Sequence, residues 1–219
     1  MQLVSFGVRR RPDPSFPSSA AIWRAPSFWP LSCLPVSLGR VSVAIGDRAA
    51  PLFYAGSQQI NAQLPTEAQP GTTNLVITVN GVRRASTPLT IATSAPGIFL
   101  LPGTNRAVVQ NEDLGLNGPS NPGRAGSVVI AYLTGPGPVD NPVAAGEAAR
   151  SNPLSRVRSE IQAMVGGRAA EILFAGLAPG FVGLMQLNFR LPAVSAGDQQ
   201  LIVTIGGAAS NAALLSVSN

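Results

Sequence analysis

"GDRAAPLFYAG" occupies residues 46–56, and "GGRAAEILFAG" occupies residues 166–176, 120 positions further along the chain. Neither copy carries a nucleophile with its base, a metal-ligand set or a paired acid. An apolar phrase duplicated without reactive groups encodes a repeated structural unit rather than a repeated reaction. The flanking sequence extends the correspondence. "RVSVAIG" (40–46) matches "EIQAMVGG" (160–167), "QQINAQLP" (58–65) matches "LMQLNFRLP" (184–192), and "TNLVITVNG" (73–81) matches "QQLIVTIGG" (199–207). The offset is 120 for the first two matched strands, 127 for the third and 126 for the fourth, so the insertion falls in the loop holding "APGFVG" (178–183). Strands hold the repeat together while the loops between them vary.

Each matched segment alternates apolar and polar residues with a period of two, and turn signals recur at roughly 8–12 residue intervals. The clearest turn is Asn80-Gly81, the sequence signature of a tight hairpin. In such a pattern Val41, Val43 and Ile45, or Leu201, Val203 and Ile205, point inward while their neighbours face out. Gly46, Gly56, Gly166 and Gly176 are expected at strand ends in positive-φ turns. The expectation is an all-β chain of two tandem immunoglobulin-like β-sandwich modules, the first truncated at its N-terminal side.

Composition agrees. The chain has 219 residues, 45% of them hydrophobic, which is ample for packed cores; only 11% are charged, and Gly (23) and Pro (20) are abundant, as suits short strands joined by many turns. There is no His and no Lys, which excludes imidazole bases and metal sites, Schiff bases and a P-loop lysine. Cys33 stands alone, so neither an intramolecular disulfide nor a cysteine-cluster zinc site is available.

The pI of about 10.9 suggests nucleic acid until the charges are located. Arg9, Arg10, Arg11, Arg24 and Arg40 face a single acid, Asp13, in residues 1–40; the other ten Arg are dispersed among nine acids. The body of the chain is close to neutral, and no nucleic-acid partner is expected. No membrane insertion is expected either. Residues 1–33 have no periodicity, and Arg24, Pro26 and Pro30 interrupt the one stretch resembling a signal-peptide core. They are expected to be a disordered or non-native leader. "PLSC" before Cys33 has the look of a lipoprotein box but carries Pro30 where that box has Leu.

The phrases "VSVAIG", "APLFYAGSQQINAQLP", "SAPGIF", "GSVVIAYLTGPG" and "LFAGLAPGFVGLMQLNFRLPAVSAGD" closely resemble an uncharacterised C-terminal domain family of large secreted proteins from environmental, acidobacterial-type bacteria, related to the IPT/TIG group of immunoglobulin-like modules. The resemblance covers residues 34–217 and implies an extracellular or cell-surface setting. It implies no catalytic residues. In that family a further strand precedes the first module, as "AGSVVIAYLTG" (125–135) precedes the second here, and nothing in residues 1–33 is expected to supply it. The start of the chain therefore reads as a truncated or misframed end of a longer protein. The expected organisation is a leader (1–33), a truncated module (34–93), a Gly/Pro/Asn-rich connecting segment (94–124) and a complete module (125–219).

Three features could carry chemistry. The loop "QNEDLGLNGPSNPG" (110–123) gathers Asn111, Glu112, Asp113, Asn117 and Asn121, oxygen donors suited to Ca²⁺ but without EF-hand spacing; Asx residues also serve their own backbone in turns. The inserted loop with Pro179, Phe181, Val182 and Leu184 is the candidate partner-binding site, the alternative being that Phe181 and Leu184 fold back as a lid on the core. Tyr54, Phe99 and Tyr132 are candidate sugar platforms, but each sits among apolar strand residues. A hydrolase would need two carboxylates roughly 5–9.5 Å apart across a cleft. Glu112 with Asp113, and Glu160 with Glu171, are the available pairs; adjacent residues of one strand point to opposite faces, and Glu160 and Glu171 read as outward-facing strand positions.

The expected function is that of a non-catalytic module of a secreted or surface protein: a spacer, an adhesion unit or a protein-interaction unit. The alternative is a carbohydrate-binding accessory module of an extracellular enzyme. No cofactor is expected. The partner would be a protein or polysaccharide at the cell surface, with self-association through the incomplete first module as a further expectation.

Overall fold

The computed structural model describes residues 3–7, 21–22 and 33–219. Every regular element among them is a β-strand, and the chain divides into two compact units, each a sandwich of two β-sheets around its own core. Unit 1 comprises residues 1–93, 142–153 and 179–183; unit 2 comprises 94–141, 154–178 and 184–219. Residues 94–124 thus belong to unit 2, and the inserted loop 179–183 to unit 1.

Unit 1 contains β1 (Leu3–Gly7), β2 (Ala21–Ile22), β3 (Ser37–Leu38), β4 (Val41–Ile45), β5 (Arg48–Ala49), β6 (Leu52–Ala55), β7 (Gln59–Gln63), β8 (Gly71–Val79) and β9 (Val82–Ile91). They form two sheets, ordered β1-β7-β6-β2 and β3-β4-β8-β9, with β5 beside β4. Unit 2 contains β10 (Gly97–Ile98), β11 (Val109–Gln110), β12 (Gly123–Arg124), β13 (Val128–Thr134), β14 (Ile161–Val165), β15 (Arg168–Ala169), β16 (Glu171–Leu177), β17 (Met185–Arg190), β18 (Gly197–Ile205), β19 (Ala208–Ala209) and β20 (Ala213–Ser218). Its sheets are β10-β13-β17-β16, with β11 also on β13, and β12-β20-β18-β14-β15, with β19 on β18.

The duplicated phrase has a structural meaning that extends to register. Ile45↔Arg48 in unit 1 corresponds to Val165↔Arg168 in unit 2, and the bond from Ala50 N–H to the Val43 carbonyl recurs from Ala170 to Ala163, both 2.8 Å. A β-bulge then displaces Phe53 in one copy and Leu173 in the other, between pairs Leu52/Tyr54 and Ile172/Phe174. The same residues turn the chain from one sheet into the other in both units.

Binary alternation is realised as expected. Val41, Val43 and Ile45 are 0–2% exposed, and Leu201, Val203 and Ile205 are 0%. Asn80 and Gly81 adopt φ of 52° and 74° between Val79 and Val82, the hairpin read from that dipeptide. Of the four glycines of the repeated phrase, Gly46 and Gly166 have positive φ, at 62° and 54°. Gly176 does not. It lies within β16, where a Cβ would stand 2.2 Å from the Ser155 carbonyl oxygen, so it is required for close approach rather than for a turn.

Contrary to the expectation that residues 1–33 supply no strand, β1 pairs antiparallel with β7, Leu3↔Gln63 through Gly7↔Gln59. This is the place that β13 takes beside β17, since Val4↔Ala62 corresponds to Val129↔Phe189. β2 likewise pairs with β6 through Ala21↔Ala55. The rest of the leader, to which the reading as disordered or non-native also applies, lies outside the described residues. Among the described residues, unit 1 has no counterpart of segment 94–124. In unit 2, Ile98, Ala107 and Val109 of that segment join the core cluster.

Candidate functional site

The inserted loop is built on a short backbone clasp within unit 1. Ala149 N–H donates to the Phe181 carbonyl at 2.9 Å and Gly180 N–H to the Ala149 carbonyl at 2.8 Å, while Ala148 bridges Val182. The clasp turns Val182 inward, 8% exposed, and leaves Phe181 55% exposed. Pro179 and Leu184 are half-buried. Next to the loop, Gln63 is buried, and Gly146 N–H donates to its Oε1. The loop therefore presents one aromatic side chain from a fixed backbone, with Val182 rather than Phe181 turned into the interior.

Polar side chains of the 110–123 loop are spent on the loop itself and on a strand edge. The Asn117 carboxamide accepts from Ser216 N–H at 2.7 Å and donates to the Ser216 carbonyl at 2.9 Å and to Asn111 Oδ1 at 2.9 Å. Asn111 Nδ2 donates to the Asn121 carbonyl at 2.8 Å. Asp113 Oδ1 accepts from Gly115 N–H at 2.8 Å, leaving Glu112 exposed beside it. Asn111 and Asn117, buried at 7% and 3% exposure, work as backbone mimics. Among the described residues no group of three or more Asp, Glu, His or Cys converges on a metal-sized site.

Four other carboxylates are also tied individually. Asp198 receives a fork from Arg106 and a bond from Ser216 Oγ at 2.7 Å. The Arg106 guanidinium, and then the Ser216 hydroxyl, hold the Asp198 carboxyl below its usual range. Asp140 is likewise lowered, chiefly because Arg156 N–H donates to its Oδ1 at 2.7 Å. Glu171 pairs with Arg190 at 3.0 Å on β16 and β17, and Glu160 accepts from Gln162. All these groups lie on loops or outward strand faces.

The aromatic candidates are distributed differently from a sugar platform. Tyr54, Phe99 and Tyr132 are half-buried, and the Tyr132 hydroxyl donates to Gln110 Oε1 at 2.5 Å. A hollow of about 330 Å³ in unit 1 lies between the turn at Gly46–Arg48 and residues 67–73, lined by polar and aliphatic groups such as Arg48, Glu67, Gln69 and Ile91, with no aromatic ring. Stacking of a sugar face needs such a ring.

The outer edge of β20 is bonded along its length. Leu214 N–H donates to the Asn105 carbonyl at 2.9 Å and its carbonyl accepts from Ala107 N–H at 2.8 Å. Ser216 is held by Asn117, and the Ser218 carbonyl accepts from Ala125 N–H at 2.8 Å. Segment 94–124 thereby closes the outer edge of one sheet while β10 and β11 extend β13 in the other. The signal available in sequence was the Asn-rich composition of the loop, which carboxamide clasps and calcium ligation explain equally well.

No protein-family model matches the chain, and no curated protein matches it. Among solved structures it is similar to one described as the D0-D1 domain of intimin, at 8% identity and a TM-score of 0.23, with 80% of each chain covered.

Proposed function

We propose that this chain is a non-catalytic pair of immunoglobulin-like modules of a secreted or cell-surface bacterial protein, related to the IPT/TIG group, and that it serves protein interaction or adhesion through the Phe181 loop. The observation that carries this reading is how the interior polar groups are used. Among the described residues Gln63, Ser94, Asn111, Asn117, Ser155 and Ser216 are the buried polar ones, and each bonds to backbone or, for the Ser216 hydroxyl, to Asp198. Polar groups committed in this way fasten loops to strands and make a rigid frame. Within unit 1, where the Gly146 N–H donates to Gln63 beside the loop, Phe181 is a large aromatic held out by its own backbone, a favourable anchor for a partner pocket.

The test is adhesion of beads coated with the full chain to bacterial cells and to polysaccharide-coated surfaces, alongside a panel of glycosidase and esterase substrates. Beads should adhere to cells, adhesion should fall with Phe181→Ser, and no substrate should turn over. Turnover, failure of any bead to adhere, or adhesion to polysaccharide that Phe181→Ser leaves intact would contradict the proposal.

A further inference from the structure

The two units offer the same sheet edge in two states. By register, Asn74↔Pro88 in unit 1 corresponds to Gln200↔Leu214 in unit 2, and Thr72↔Thr90 to Asp198↔Ser216. The Asn74 carbonyl accepts from the N–H of Gly46, directly after β4, as the Gln200 carbonyl accepts from the N–H of Gly166, directly after β14. Because the N–H and C=O of one strand residue point the same way, Pro88, like Leu214, turns its main-chain groups away from the sheet. Ser86 and Thr90 share that parity.

In unit 2 these outward groups are bonded to residues 105–107 and to the Asn117 carboxamide. In unit 1, among the described residues, nothing bonds to them. Side-chain burial follows. Ser216 and Leu215 are 2% and 1% exposed, whereas Thr90 is exposed and Leu89 only half-buried. Pro88 sits at the centre of this edge, where it removes the one outward donor that Leu214 provides. That disfavours antiparallel pairing of two β9 strands, because each would lack the same donor. The unit 2 arrangement mostly survives Pro88. A parallel segment still finds the Pro88 carbonyl for an N–H like that of Ala107, and the Thr90 N–H and C=O for a carboxamide like that of Asn117.

We propose that the β9 edge of unit 1 is a docking site for an extended, asparagine-bearing polypeptide segment that runs parallel to β9, as residues 105–107 and β12 run parallel to β20. The occupant is identified by chemistry: small apolar residues to cover Leu89, as Ala107 and Val109 cover the core of unit 2, and one carboxamide to clasp Thr90. This is β-augmentation with a side-chain clamp. It uses a different surface from the Phe181 loop and does not depend on that loop binding anything.

The probe is a synthetic peptide with the sequence of residues 103–124, titrated into the isotopically labelled full chain and followed by amide NMR. Saturable shifts are expected at Ser86, Leu89 and Thr90, with Leu214 and Ser216 unmoved because their partners are already in place. A peptide carrying Asn117→Ala should bind about tenfold more weakly, the effect of two lost hydrogen bonds. Thr90→Pro in the protein should weaken binding similarly while amide protection of β8 stays unchanged. Pro88→Leu restores the missing donor and should strengthen binding several-fold, which keeps the proposal testable if Thr90→Pro fails to fold. It is overturned by no shift at Ser86–Thr90 with millimolar peptide, by binding indifferent to Asn117→Ala and Pro88→Leu, by shifts confined to Leu214 and Ser216, or by dimerisation through β9 in place of peptide binding.

Discussion

Asn117→Ala should be among the most costly changes of a loop residue in this chain. The carboxamide is 3% exposed and makes three short bonds, two to Ser216 and one to Asn111 Oδ1. Truncation leaves the Ser216 N–H, the Ser216 carbonyl and Asn111 Oδ1 without a partner, all in residues at most 7% exposed. Each orphaned buried group costs about 1–3 kcal/mol. The vacated space is polar and close to the size of a water molecule, so water recovers part of that loss. A net destabilisation of about 2–4 kcal/mol follows. For a unit of roughly a hundred residues this lowers the midpoint by roughly 8–15 °C. The assay is thermal unfolding of the full chain by calorimetry, with amide exchange assigning each transition to a unit. Asn121→Ala is the control, since its Nδ2 contacts are exposed and both 3.4 Å long. A shift below about 2 °C would refute the view that Asn117 holds the edge of β20, because it would correspond to less than one lost hydrogen bond. So would a shift equal to that of Asn121→Ala, or one seen only in the transition of unit 1.

Gly135→Ala should prevent unit 2 from reaching its native packing, because φ is 72° and a Cβ would lie 1.8 Å from the Ala95 carbonyl oxygen; Gly207→Ala, at φ of 84° with nothing within 4 Å, should cost only about 1–2 kcal/mol in the same denaturant titration. Asp198, whose carboxyl is lowered by Arg106 and Ser216, contributes stability that is fully present above the ordinary carboxylate pKa and is lost as pH falls through its depressed folded value. The acid limb of unit 2 unfolding should therefore flatten below about pH 4 in Asp198→Asn, and an unchanged limb would contradict the assignment. Val182→Ser should destabilise unit 1 by about 1–3 kcal/mol while Phe181→Ser stays within about 0.5 kcal/mol, since one side chain is buried and the other is not.

The strands were legible because their signal is local. Alternation from Val41 to Ile45 and from Leu201 to Ile205, together with the Asn80-Gly81 turn, specifies which face is buried without reference to anything distant. The repeat added register, which a single copy would not have supplied. β1 escaped notice because five residues followed by charged and proline-rich sequence offer too short a window for a period-two pattern, and its place is set by pairing with β7. The role of segment 94–124 was hidden for a related reason. Its bonds go to β20, about a hundred residues later, and its asparagines look the same in sequence whether they clasp a strand, cap a turn or ligate a cation. Likewise the loop insertion locates Phe181 and Val182 but does not say which faces in; the clasp to Ala149 decides that.

One sandwich is written twice, with its β20 edge closed in the second unit and, among the described residues, the matching β9 edge unbonded in the first. Residue-resolved amide hydrogen exchange of the full chain tests this most directly. Leu214 and Ser216 N–H, which donate to Asn105 and Asn117, should exchange as slowly as the core of unit 2. Thr87 and Leu89, which face β8, should also be slow, whereas Ser86 and Thr90 between and beside them should exchange at nearly the rate of an unstructured chain. Protection of Ser86 and Thr90 equal to that of Leu214 and Ser216, or fast exchange at all four, would contradict the account.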